Sequence, residues 1–132
     1  MSVVPRVDST DKQEWFAYST GIYARFRHPE IIVLGLDQDT GTAIINEIGN
    51  VVKGGRKFEL DTDYDDVFDD NLKCRFRSIH ISQYSEYVCW SQWFYENNDF
   101  PVWQCFWPDK GGYHPWEDAC DPEIADLQPR LC

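Results

Sequence analysis

The sequence predicts an α+β fold, a single two-layer domain of about four to five strands with two main helices. Short β-prone stretches are interspersed with two longer segments of helical spacing, and no Pro/Gly/Ser-rich linker splits the chain. Its 132 residues suit one core. Aromatic residues make up 16% and hydrophobic residues 42%, more than enough apolar surface to fill that core.

The elements follow in order. Residues 1–13 are polar, with Pro5 and a Ser9-Thr10-Asp11 cluster, and are expected to form a loose arm before a globular 14–132. Trp15 to Tyr23 is aromatic and β-prone, which predicts a strand. Arg25 to Pro29 is read as a connection, because the residue before a proline is pushed out of helix. Ile31 to Leu36 is continuously apolar, the mark of a strand buried on both faces. Asp37 to Thr40 supply helix-start chemistry, and Ile44, Ile48, Val51 and Val52 recur at helical spacing until Gly54-Gly55. Gly41 and Gly49 weaken that helix without reversing the reading.

A third strand is expected over Leu72 to Ile79. Leu72, Cys74 and Phe76 alternate with Lys73, Arg75 and Arg77. Ser82 is placed as the cap of a second helix that carries Tyr84, Tyr87, Val88, Ser91, Phe94 and Tyr95 on one side, with Trp90 and Trp93 broadening it. Pro101 to Trp107 reads as a fourth strand, with Trp103, Cys105 and Trp107 on one face. Tyr113 to Glu117 is a short ordered segment or a further strand, and Asp121 to Leu127 predicts one or two helical turns with Pro122 first.

Composition limits the function classes. The net charge is −11, from 12 basic and 23 acidic residues. That charge repels a phosphate backbone and argues against nucleic acid as partner. The apolar run Ile31–Leu36 is far short of the ~20 residues of a membrane span. The N-terminus lacks the basic-then-apolar layout of a signal peptide, so no membrane partner and a cytoplasmic location are expected. Five cysteines, at 74, 89, 105, 120 and 132, include no CxxC pair. Reduced thiols are therefore expected, with no metal and no cofactor.

Several separated motifs carry a family resemblance. They are Phe16-Ala-Tyr-Ser-Thr-Gly21, His28-Pro-Glu-Ile-Ile-Val33 with Gly35-Leu36, Arg75-Phe-Arg77, Trp93-Phe-Tyr95 and Phe100-Pro-Val102. Trp107-Pro-Asp109, Pro115-Trp-Glu117, Asp121-Pro122 and Gln128-Pro129 complete the set. In order and spacing, roughly over residues 14–131, the chain resembles bacterial domain-of-unknown-function family 4262. The resemblance implies a small soluble bacterial domain and carries no activity with it.

Residues 59–70 hold seven acids and no base. Asp61, Asp63 and Asp65 are spaced like the first ligands of a calcium loop, but Asp66 stands where glycine is required and Leu72 where glutamate is. We favour a charged patch that meets a basic protein, weighed against a plain solvated loop. Its docking residues would be Asp61, Asp63, Tyr64, Asp65, Asp66, Phe68, Asp69 and Asp70, with Tyr64 and Phe68 as buried anchors. Lys53, Arg56 and Lys57 precede the run and Lys73, Arg75 and Arg77 follow it. The plain expectation is internal neutralisation through weak surface pairs.

No nucleophile elbow, phosphate-binding glycine loop or assignable triad is present, so no catalytic residue is named. His28 and His114, each before a proline, read as structural; pairing of His80 with Cys89 or Cys105 is not deducible from sequence. The leading expectation is a non-catalytic immunity or antitoxin-like inhibitor that docks its acidic loop on a basic toxin. The alternative is a small-molecule binder or enzyme for an anionic, nucleotide-like ligand, held by Arg75, Arg77 and His80 beside a platform of Trp103 and Trp107. A third class is an oligomer joined through its aromatics.

Overall fold

A computed structural model describes residues 2–6, 15–64, 73–97, 99–109 and 111–131. Its centre is a five-stranded mixed sheet in the order β1-β2-β3-β5-β4. The strands are β1 (Ser2–Arg6), β2 (Phe16–Thr20), β3 (Glu30–Leu34), β4 (Arg75–Ser78) and β5 (Val102–Phe106). β3 and β5 are parallel; the other neighbours are antiparallel. Ser2–Arg6, expected in a loose arm, instead pairs along β2 from Ser2 opposite Thr20 to Arg6 opposite Phe16. The rest of that arm, 7–14, lies outside the described residues.

Helix α2 (Gln38–Lys53) covers one face of the sheet. Its Ile44, Ile45, Ile48 and Val52 pack on Ala17, Ile31, Val33, Phe76 and Cys105. Asp37 caps it, its carboxylate accepting from the Thr40 N–H at 2.8 Å. Gly41, which weakens the helix in isolation, faces Ala17 and Val33. A methyl group there would stand 3.4 Å from the Ala17 Cβ, so the missing side chain lets helix and sheet approach closely.

The opposite face is covered too. Tyr18, Ile32, Leu34 and Val102 pack against Tyr84, Val88, Phe100 and Leu131. The second helix is not continuous there. A 3-10 turn (Ile81–Gln83) leads into α3 (Tyr84–Tyr87), Val88 leaves helical geometry at φ −122°, and α4 (Cys89–Tyr95) follows. The cap is His80 rather than Ser82: the His80 Nδ1 accepts from the Ser82 N–H at 3.1 Å. The side chain of Trp90 is outside what the structure describes.

The C-terminal segment is stitched on by two glutamines. Gln128 accepts from the Trp107 N–H at 2.9 Å and donates to its carbonyl at 2.7 Å. Gln104 donates to the Pro129 carbonyl and accepts from the Leu131 N–H. Helix α5 (Pro122–Leu127) forms with Asp121 as its cap, as expected. Residues 113–117 form turns, not a strand.

The strand expected over Trp15 to Tyr23 ends at Thr20, and α1 (Ile22–Phe26) begins two residues later. A five-residue helix has little stability of its own. It is held from outside by Glu30, which is fully buried. The N–H groups of Gly21, Ile22 and Tyr23 donate to its carboxylate at 2.8, 3.2 and 3.3 Å. The Ser19 hydroxyl donates at 2.7 Å, and the Tyr95 hydroxyl donates as well. Five donors around one carboxylate are the complement of a group that only accepts when ionised. Gly21, at φ 108°, supplies the left-handed backbone that turns these N–H groups inward.

Removing Glu30 would leave several buried donors without partners. Glu30→Ala is expected to cost more than about 3 kcal/mol, against roughly 1.5–3 kcal/mol for Tyr95→Phe. Urea unfolding of both variants checks this, and equal losses would contradict the central role given to the carboxylate.

Candidate functional site

The expected acidic docking segment divides in two. Asp65, Asp66, Phe68, Asp69 and Asp70 lie outside the described residues. Asp61, Asp63 and Tyr64 belong to the sheet edge. The Asp61 N–H donates to the Phe76 carbonyl at 2.9 Å, and Tyr64 exchanges two backbone hydrogen bonds with Cys74. This stretch therefore covers the free side of β4, an edge that proteins commonly shield. The Asp63 carboxylate accepts from Arg75 Nε at 2.9 Å, and Asp61 from Arg77 Nε at 3.0 Å. Tyr64 is half-buried against Phe58 and Phe76, and its hydroxyl accepts from the Glu59 N–H at 2.7 Å. These three side chains thus have partners within the domain.

The alternative set is not brought together either. In the β4–β5 pair Arg75 stands opposite Phe106 and Arg77 opposite Gln104, so both arginines share one face. Ser78 stands opposite Trp103, which places Trp103 and Trp107 on the other face, under α2. Trp103 packs on Phe76 and His28, and the Trp107 Nε1–H donates to the Leu34 carbonyl at 2.8 Å. The arginines instead cover Trp116, with the Arg77 guanidinium 4.2 Å from its ring centroid. His114 stacks parallel on the same indole at 4.8 Å. His80 is exposed and occupied as a cap, whereas Cys105 is fully buried beside Cys74. Cys74, Cys105 and Cys120 are free and buried.

The structure gathers a different set. A pocket of about 410 Å³ opens between the end of α1, the turn into β3, the end of α2 and the loop that follows. Phe26, Arg27, His28 and Pro29 form one wall; Val52, Lys53, Gly55, Arg56, Lys57 and Phe58 form the other. Among the described residues, four bases line it and no acid does. The volume falls within the ~300–1,000 Å³ of small-molecule sites.

Each wall has a local cause. α1 ends at Arg27, which takes the left-handed conformation at φ 58° while its N–H donates to the Tyr23 carbonyl at 2.9 Å. Its guanidinium lies over the Tyr23 ring, 5.6 Å from the centroid. α2 ends at Gly54-Gly55, and the Gly54, Gly55 and Arg56 N–H groups bond the carbonyls of Asn50, Val52 and Val51. Those carbonyls are thereby occupied beside the cations. The Arg56 guanidinium sits 4.6 Å from the Phe58 centroid and 5.3 Å from that of Tyr64, which orients it at the rim.

His28 is 5% exposed, and its ring lies edge-on to Phe58 and Trp103. Its Nδ1 is 2.9 Å from the Pro29 carbonyl oxygen, which only accepts, so Nδ1 carries the proton. Nε2 is then a bare acceptor, and it is buried without a hydrogen-bond partner. Sequence reasoning missed this site. Lys53, Arg56 and Lys57 were visible as a basic flank, but they were matched with the acidic run next to them rather than with Arg27 and His28.

A family model described as Domain of unknown function (DUF4262) matches residues 1–121, and the chain belongs to that family. No curated protein and no solved structure matches it. No helix among the described residues is long and apolar enough to cross a membrane.

Burial lowers the His28 pKa from its ordinary 6.5, opposed more weakly by the Pro29 carbonyl and the charge of Glu30. Burial lowers His114 as well. The unfolded chain therefore takes up these protons first. Stability should be full above about pH 6.5 and fall as pH drops toward the folded-state values, by up to about 1.4 kcal/mol per unit for each histidine. Urea unfolding between about pH 7 and 5 checks this. His28→Phe should flatten the slope by one histidine's share, and a flat wild-type profile would contradict the assignment.

Proposed function

We propose that this member of the family binds a small anionic molecule in the pocket framed by Arg27, His28, Lys53, Arg56 and Lys57. The observation that carries the reading is charge segregation. In a chain of net charge −11, four bases and, among the described residues, no acid line one concavity. Placed at random, acids would outnumber bases there by about two to one. A basic concavity on an acidic surface draws anions selectively, because the surrounding field repels them elsewhere. Arginine and lysine complement each other here: the guanidinium forks fix orientation, and the ammonium groups add charge without geometric demand.

The reading keeps the anionic ligand class and moves its site away from Arg75, Arg77 and His80. The competing proposal, docking of the acidic segment on a basic toxin, would have to rest on Asp65, Asp66, Phe68, Asp69 and Asp70. Its other members, Asp61, Asp63 and Tyr64, already hold internal partners.

Calorimetric titration with inorganic phosphate at low ionic strength tests the proposal. The wild type should bind, and 0.5 M salt should weaken binding by screening. Lys53→Glu with Arg56→Glu should lower affinity at least about tenfold, since two attractive charges become repulsive. Arg75→Ala with Arg77→Ala should leave affinity within about twofold, because those side chains lie on β4 and not in the pocket lining. The reverse pattern would return the site to β4, and no binding by the wild type would refute it.

A further inference from the structure

We infer that Tyr95 is a positioning residue for the pocket: its hydroxyl fastens α1 to α4, so the pocket's affinity is set in part from the opposite face of the sheet. The inference rests on the reading that the pocket binds anions. Tyr95 itself is not in the lining.

The start of α1 shows how the fastening works. A helix leaves its first four N–H groups without partners inside it. In α1 these belong to Gly21, Ile22, Tyr23 and Ala24, because the Arg25 N–H makes the first bond within the helix, to the Gly21 carbonyl at 3.2 Å. The side chain at the cap position supplies no acceptor. Glu30 takes the first three N–H groups, and the Tyr95 hydroxyl oxygen takes the fourth, that of Ala24, at 3.1 Å. The same hydroxyl donates to Glu30. One atom that both donates and accepts thus completes the set, and a phenylalanine ring can do neither.

The body of α1 carries this restraint to the pocket, because the helix has two working faces. Ile22 and Phe26, one turn apart, pack into the cluster under α2 that also holds Val52 and Phe58. Phe26, Val52 and Phe58 all line the pocket, so the tilt of α1 sets the spacing of its two walls. Tyr23 and Arg27, also one turn apart, lie on the α4 side. The Tyr23 ring meets the Tyr95 ring edge-on at 6.0 Å, and the Arg27 guanidinium lies over Tyr23. Every link from Tyr95 to residues 26–28 is a direct contact or a hydrogen bond.

Losing the hydroxyl would free α1 without destroying it. Ala24 is exposed, so water can take its N–H, while Glu30 keeps the other three and the ring contact with Tyr23 survives. A pocket whose walls hold the binding arrangement only part of the time binds more weakly in proportion to that fraction.

Calorimetric titration of the intact chain with inorganic phosphate tests this with two matched variants. Tyr95→Phe should weaken binding about three- to tenfold. Tyr84→Phe removes another tyrosine hydroxyl from the same side of the sheet, one that donates to the Phe100 carbonyl at 2.7 Å and does not touch α1. It should leave affinity within about twofold, although it too loses a buried hydrogen bond. A purely structural role for Tyr95 would make the two variants alike. A second readout needs no variant. Coupling is reciprocal, so saturating phosphate should slow amide hydrogen exchange at Ala24 in the wild type at least about twofold relative to Val88, although Ala24 is outside the lining. Equal affinities in the two variants, or no phosphate effect on Ala24 exchange, would overturn the inference and leave anion binding standing. If Tyr95→Phe does not fold, the Ala24 exchange decides alone. If the wild type does not bind phosphate, the anion-binding reading and this inference fall together.

Discussion

The buried carboxylate of Glu30 closes residues 21–30 into a loop on which the pocket depends. It stands at the start of β3 and accepts hydrogen bonds from the first N–H groups of α1, nine to seven residues earlier in the chain. Between these ends run Phe26, Arg27, His28 and Pro29, one wall of the pocket. The wall therefore hangs from a single side chain at one end and a short helix at the other. Charged hydrogen bonds in a dry environment are strong, and leaving a buried donor unpaired is costly. Together these terms hold a five-residue helix that would not persist alone.

The same carboxylate links the wall to the far side of the sheet. The Tyr95 hydroxyl donates to Glu30 and accepts from the Ala24 N–H at 3.1 Å, so α4 grips both α1 and β3. Burial first, and then donation to Glu30, push the Tyr95 phenol well above its usual range, which keeps its proton in place. Ser91, one turn before Tyr95, shares a hydrogen bond with Thr20 at 2.8 Å and donates to the Ser19 carbonyl. A polar network of Ser19, Thr20, Glu30, Ser91 and Tyr95 thus locks the end of β2 under α4. The opposing pocket wall is set independently, by the glycine-terminated end of α2.

Much of the architecture is legible in the sequence because its signals are local. The period of Ile44, Ile48 and Val52 finds α2, and the alternation of Cys74 and Phe76 with Arg75 and Arg77 finds β4 with its faces correctly assigned. What escaped depends on distant partners. β1 is a short, proline-containing stretch within a largely polar N-terminal segment, and its pairing is supplied by β2. α1 is capped by a residue that follows it, with no capping signal at its own start. The break at Val88 interrupts a run whose apolar spacing is helical throughout. The pocket escaped for the same reason: Arg27 and His28 are some 25 residues from Lys53, Arg56 and Lys57, and only the packing of α1 beside α2 makes them neighbours. Asp61 and Asp63 show the converse. Their charge was plain in the sequence, but their ion pairs with Arg77 and Arg75 required the register of the sheet edge.

Amide chemical-shift mapping with inorganic phosphate as titrant tests the central claim most directly, because it reports where an anion binds as well as whether it does. The account predicts saturable shifts concentrated at residues 26–28 and 52–58, with β4 and the Trp116 cluster unmoved. Shifts centred on Arg75 and Arg77, or none that saturate, would contradict it.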